Sequence, residues 1–119
     1  MCGVVGYIGN NNCVPIIIEG LKRLEYRGYD SAGISVIYRG AIKTYKKEGK
    51  ITNLEKIIPE NFKGNIGIGH TRWATHGGVC DKNAHPHMSM NGKYSIIHNG
   101  IIENYQVLKD KLIKDGFTF

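Results

Sequence analysis

Met1-Cys2-Gly3-Val4-Val5-Gly6 opens the chain, and Tyr7 and Ile8 continue it. Residues 2–8 read as a short strand with two glycines set into it, which let another backbone or a ligand come close. A small side chain behind an initiator Met permits removal of that Met. Cys2 would then carry a thiol and a free α-amine together. The amine titrates near ~7.7–8.0 and the thiol near ~8.5. A thiolate is a strong nucleophile, so nucleophile and base would sit in one residue. On position alone the plainer reading is favoured, a buried small residue opening a strand. The downstream loops change the balance.

Asn10-Asn11-Asn12 is a turn, and Pro15 suits the first turn of a helix. Val14, Ile17, Ile18, Leu21 and Leu24 recur at helical spacing, which gives one apolar face. This helix is expected to stop near Gly28. Residues 34–38 and 41–47 read as a hairpin about the turn Arg39-Gly40. Residues 51–58 have helical spacing and end at Pro59. Residues 65–70 read as a strand that packs tightly at Gly67 and Gly69.

Residues 71–92 form a long connection without periodicity, and connections this long in a small domain are usually functional or disordered. Arg72, Trp73, His76, His85 and His87 are not the composition of disorder. Residues 94–98 read as a strand ending in Asn99-Gly100. Asn104 is placed to cap a last helix through Asp115, with Tyr105, Leu108 and Leu112 on its inner face. Gly116 suits the position just past that helix. Residues 117–119 read as the start of a further strand.

At 119 residues the chain is at most one domain, and 41% hydrophobic content supports a globular core. No apolar run reaches the ~18 residues of a membrane span, and no basic n-region precedes an apolar stretch. A cytoplasmic location is the default expectation. Cys2, Cys13 and Cys80 are too few and too scattered for a disulfide framework. The net charge is +6, but the lysines are interspersed with acids. That argues for a solvated surface rather than a nucleic-acid face.

Three loops carry candidate chemistry: residues 26–33, 70–78 and 98–104. Arg72 offers a rigid fork that matches a carboxylate. Asn99-Gly100 offers a side-chain amide donor beside a flexible backbone N–H, and two converging donors make an oxyanion hole. Taken singly, Arg72 reads better as a structural ion pair and Asn99-Gly100 as a turn dipeptide. With Cys2 they are the parts for acyl transfer on a substrate bearing a carboxylate. A competing class is a metal site. His76, Cys80, His85 and His87 are legal zinc ligands, but their spacing is not a zinc-finger pattern. The histidines of that half are read instead as hydrogen-bonding supports for the loops, and no metal or cofactor is expected.

Five stretches carry a resemblance: Met1-Cys2-Gly3-Val4-Val5-Gly6; Leu24-Glu25-Tyr26-Arg27-Gly28-Tyr29-Asp30-Ser31-Ala32-Gly33; Gly69-His70-Thr71-Arg72-Trp73-Ala74-Thr75-His76-Gly77; Asn83-Ala84-His85-Pro86-His87; and His98-Asn99-Gly100-Ile101-Ile102-Glu103-Asn104. Together they resemble the glutaminase domain of the glutamine–fructose-6-phosphate aminotransferases, class II glutamine amidotransferases with an N-terminal nucleophile. The likeness runs over essentially the whole chain. Amidophosphoribosyltransferase is the runner-up. It typically has His and Gln where this chain has Tyr26 and Tyr29, and it lacks the Thr71–His76 wording.

The resemblance implies an α+β fold, the four-layer αββα sandwich of N-terminal-nucleophile hydrolases, with residues 1–119 forming its N-terminal part only. It implies Cys2 as nucleophile and Asn99 and Gly100 as oxyanion donors. It implies Arg72 as the clamp on the α-carboxylate of L-glutamine, with Thr75, His76 and Gly77 lining the pocket. Arg27 would help position the N-terminal residue, and Trp73 would stand near the ammonia exit. The ammonia would pass to sugar-isomerase domains, absent from this chain, that aminate fructose 6-phosphate. The family's domain continues past Phe119, so a fragment of a larger, homo-oligomeric enzyme is expected, with neither nucleic acid nor membrane as a partner. An isolated half of such a sandwich is expected to leave strand edges and apolar faces exposed.

Overall fold

The computed structural model describes residues 2–75 and 77–119. Strand β1 spans Gly3–Ile8, helix α1 Cys13–Arg23, a 3-10 turn Glu25–Arg27, strand β2 Ser31–Tyr38, strand β3 Ala41–Glu48 and helix α2 Ile51–Ile57. Strand β4 spans Ile66–Arg72, β5 His87–Met88, β6 Ser95–Ile96, and helix α3 Tyr105–Lys114. β1, β4, β2 and β3 lie side by side in that order in one antiparallel sheet, and β5 pairs with β6.

Register sorts the sheet into two faces. Val5, Gly69, Ile34 and Tyr45 are partners in one row. This row faces the helices, because Gly20 of α1 abuts Val5 and Ile17 abuts Gly69. The core lies there, with Ile17, Leu21, Ile34, Ile51 and Leu54 wholly buried. Val4, His70, Gly33 and Lys46 form the neighbouring row and face the other way. The 84–87 segment and the β5–β6 ribbon lie over that second face. Gly33 permits the approach, since a Cβ there would overlap the His85 carbonyl. Ser95 of β6 donates to the Ser35 hydroxyl of β2 at 2.7 Å.

The local signals explain most elements. Asn12 caps α1, its side-chain oxygen accepting from Val14 N–H at 3.2 Å and from Gly64 N–H at 3.3 Å. α1 ends earlier than Gly28. Leu24 is its C-cap and the 3-10 turn carries the chain to Gly28, where φ is +78°. The β2–β3 turn has positive φ at both Arg39 (51°) and Gly40 (77°), the primed geometry that matches strand twist. The N-cap residue of α2, Lys50, makes no side-chain cap bond. Tyr29 replaces it, its hydroxyl accepting from Ile51 N–H at 2.9 Å while donating to Glu25 at 2.9 Å.

Four expectations are corrected. Asn104 sits at the N-cap of α3, but its side chain makes no capping bond. Tyr105, Leu108 and Leu112 are exposed, not an inner face. Periodicity specifies an apolar side; burial needs an element across from it, and none is closely packed there among the described residues. The 71–92 connection is not structureless: β4 runs on to Arg72, and β5 lies within it. The expected strand over 94–98 shrinks to two residues. Gly116 does take the position after α3, with φ +94°. The sheet's second face leaves Val4 and Ile8 exposed.

The close contact between α1 and β4 is testable. A Cβ at Gly69 would overlap Ile17 Cγ2. Overpacking typically costs ~1–3 kcal/mol, against ~0.4–1 kcal/mol gained by restricting the unfolded chain. Gly69→Ala is therefore expected to lower the urea midpoint, by about 1–2 kcal/mol in stability. A raised midpoint would show that the helix does not press on this strand.

Candidate active site

Arg72 ends β4, and Ser31, which starts β2, is its register partner. The backbone beyond Arg72 turns sharply and is pinned from β2's side by Asp30. Its carboxylate accepts from Ala74 N–H at 2.6 Å, and its own N–H donates to the Arg72 carbonyl at 2.7 Å. Gly78, further along the loop, is held through its carbonyl by Arg72 Nη1 at 3.1 Å and Asn83 Nδ2 at 3.0 Å. Asp81 ties the loop to β3, accepting from Glu48 N–H at 2.7 Å and Lys47 Nζ at 3.0 Å. The Glu48 N–H and the Lys47 ammonium hold the Asp81 carboxyl below its ordinary pKa.

These loops enclose a cleft of about 550 Å³. Arg72, Thr75, Gly77, Asn99 and Gly100 line it together, as do Asn83, His85, His87, His98 and Tyr105. The guanidinium-bearing Arg72 is buried at 3% exposure, so its fork belongs to the cleft floor rather than to the surface. His76 lies outside the described residues, as does Met1. Cys2, Arg27 and Trp73 are not among the lining residues. Cys2 is nonetheless adjacent: its thiol accepts from Trp73 N–H at 3.1 Å and donates to the Trp73 carbonyl at 3.6 Å, directly after Arg72. Trp73 projects its ring outward beside Gly28, and Arg27 is half-buried in the 3-10 turn.

Cys13 is the contrasting cysteine. It is wholly buried in the core, and burial pushes its thiol up, which makes it inert. Among the described residues no group of three His, Cys, Asp or Glu has a metal-holding arrangement. The His85 and His87 rings instead lie in tilted contact, with centroids 4.3 Å apart and planes at 49°, and the His70 ring is tilted against His85 at 4.7 Å. Burial, with the Arg72 charge next, pushes His70 down to about 4. Burial and the surrounding cationic groups push His85 down to about 3 and lower His87 in the same direction. This stack was missed from sequence. His85-Pro86-His87 was legible as a motif, but nothing in its spacing places it over His70.

No family model matches the chain. The glutamine–fructose-6-phosphate aminotransferase [isomerizing] of Methanosarcina acetivorans is 62% identical over all of this chain, which spans 19% of that protein. That of Caldanaerobacter subterraneus is 53% identical, again over all of this chain and 20% of the relative. The glutamine phosphoribosylpyrophosphate amidotransferase structure from B. subtilis superposes with a TM-score of 0.77 at 31% identity, over all of this chain and 26% of its own. Over its whole length the chain is thus similar to the N-terminal fifth of the glutamine–fructose-6-phosphate aminotransferases, and its structural neighbours are class II amidotransferase domains. It spans about a fifth of the length of the curated relatives it matches. A second structure, that of the allosteric regulatory enzyme of purine biosynthesis, superposes with a TM-score of 0.79 at 31% identity, over all of this chain and 26% of its own. The α+β fold is that of N-terminal-nucleophile hydrolases, of which these elements form the N-terminal part. No described helix is long and apolar enough to cross a membrane.

Proposed function

We propose that the chain carries the glutaminase half-reaction of a glutamine–fructose-6-phosphate aminotransferase, hydrolysing L-glutamine to glutamate and ammonia. The observation that carries this reading is one cleft lined by Arg72, Asn99 and Gly100 with the Cys2 thiol one residue from Arg72. The family's higher identity to the aminotransferases (62%) than to the amidophosphoribosyltransferase structures (31%) favours this member of the class.

Removal of Met1 exposes the Cys2 α-amine. That amine takes the thiol proton, through a water, and Sγ attacks the side-chain carbonyl carbon of glutamine. The oxyanion is held by the Asn99 side-chain amide and the Gly100 N–H. Collapse breaks the C–N bond, the proton returns to the leaving nitrogen, and ammonia departs past Trp73, leaving a thioester on Cys2. Water, deprotonated by the same amine, hydrolyses the thioester, and glutamate leaves. Arg72 binds the α-carboxylate bidentately, which fixes the carboxamide opposite the nucleophile. Thr75 and Gly77 line the pocket, the family likeness assigns His76 to it as well, and Arg27 supports the N-terminal residue. Ammonia passes to sugar-isomerase domains of the whole protein, which aminate fructose 6-phosphate to glucosamine 6-phosphate. The whole protein acts as a homo-oligomer in the cytoplasm.

Intact mass before and after treatment with the glutamine analogue 6-diazo-5-oxo-norleucine tests this reading. The expected result is loss of Met1 and one adduct on Cys2, absent from Cys2→Ala. A retained Met1, or an adduct on Cys13 or Cys80 instead, would overturn it.

A further inference from the structure

The Asn99–Gly100 segment follows the two-residue strand β6 and has no regular structure of its own. Something else must hold it. His98 N–H donates to His85 Nδ1 at 3.3 Å. The His98 ring in turn lies against Gly100, since a Cβ there would stand 3.2 Å from the His98 ring atoms Cε1 and Nε2. His85 is itself fixed. It is 5% exposed, in tilted contact with both the His70 and His87 rings, and its carbonyl is seated on Gly33. His70 lies in β4, two residues before Arg72 and on the same face. A packed chain thus runs from the strand of Arg72 through His70 and His85 to His98 and the Asn99–Gly100 loop.

We propose that His85 is a positioning residue whose Nδ1 accepts the His98 amide and thereby sets the Asn99–Gly100 donors relative to Arg72. The inference rests on the reading of Asn99 and Gly100 as oxyanion donors. Acceptance at Nδ1 requires an imidazole that is neutral there, with its proton on Nε2. The surroundings supply that condition. Burial disfavours the imidazolium, and Lys46 from β3, Arg72 and His70 from β4, and His87 from β5 add to the effect. Asp30 opposes it only through His70. Lys46 donates to the Pro86 carbonyl at 3.4 Å, so its charge is held beside the stack.

Two variants of like size separate the acceptor from packing. His85→Asn places Oδ1 where Nδ1 stands; His85→Leu fills the space with no acceptor. In the intact protein His85→Leu is expected to lower kcat for glutamine about 10–100-fold with KM changed less than about threefold, a range set by small misplacements of reacting groups. His85→Asn should recover to within about threefold of wild type. Equal losses in both variants would overturn the inference, as would an unchanged kcat in His85→Leu. Amide exchange at His98, followed by NMR, reads the same bond without turnover. Protection should persist in His85→Asn and vanish in His85→Leu. Absence of glutamine turnover in wild type would sink the proposed function alone, and the exchange comparison would still decide whether His85 holds the loop.

Discussion

Asn99→Ala is expected to lower glutamine turnover about 100–1,000-fold, the usual cost of deleting one oxyanion donor. The loss should fall on kcat rather than on KM. On the proposed mechanism the donor acts on charge that develops only in the transition state, whereas the ground-state carboxylate is assigned to Arg72, which lines the same cleft. Asn99 is half-buried and appears in no recorded core contact, so its truncation should leave the fold and the urea midpoint unchanged. Steady-state kinetics on glutamine, with thermal unfolding as a control, checks both. Near wild-type turnover in a folded Asn99→Ala protein would remove Asn99 from the oxyanion site and leave Gly100 N–H alone.

Acid should weaken the fold more than any single surface change. His70 has a pKa of about 4 and His85 of about 3, both below the ordinary 6.5. The folded chain therefore binds fewer protons than the unfolded chain across this window. Stability from these two groups is fully present above pH 6.5 and drains as pH falls towards 4 and 3. At about pH 5 each imidazole costs on the order of 2 kcal/mol, or about 4 kcal/mol together, a large share of a typical ~5–15 kcal/mol. Urea midpoints at about pH 7.5 and about pH 5 should differ accordingly, and the difference should shrink in a His70→Asn/His85→Asn double variant. A midpoint indifferent to this pH change would mean the stack is open enough to water to protonate without cost.

The elements that were legible owe their form to neighbours in the chain. The apolar recurrence of Val14, Ile17, Ile18 and Leu21 makes a helix with one buried side wherever it is placed. Arg39-Gly40 makes a hairpin because the turn's backbone demand is met by two adjacent residues. Gly67 and Gly69 announced a close approach, and the structure supplies Ile17 for it. Two features are not legible locally. The periodicity of α3 predicts an inner face, but it cannot say whether anything lies opposite. Residues 71–92 read as one loop, because β5 is two residues long and its partner β6 is no longer. Strands that short carry no alternation to detect.

By itself the sequence determined the strand–helix–hairpin order, the candidate nucleophile at Cys2, the arginine at Arg72 and the donor pair at Asn99-Gly100. Each is a local statement about residue chemistry and spacing. Tertiary structure alone decided that β4 inserts between β1 and β2, which carries Arg72 beside Ser31 and brings the Cys2 thiol against Trp73. It alone decided that His85 lies over the sheet's second face, where it meets both the His70 ring and the His98 amide. Those contacts join residues far apart in the chain through sheet order and packing, and no spacing in the sequence encodes them.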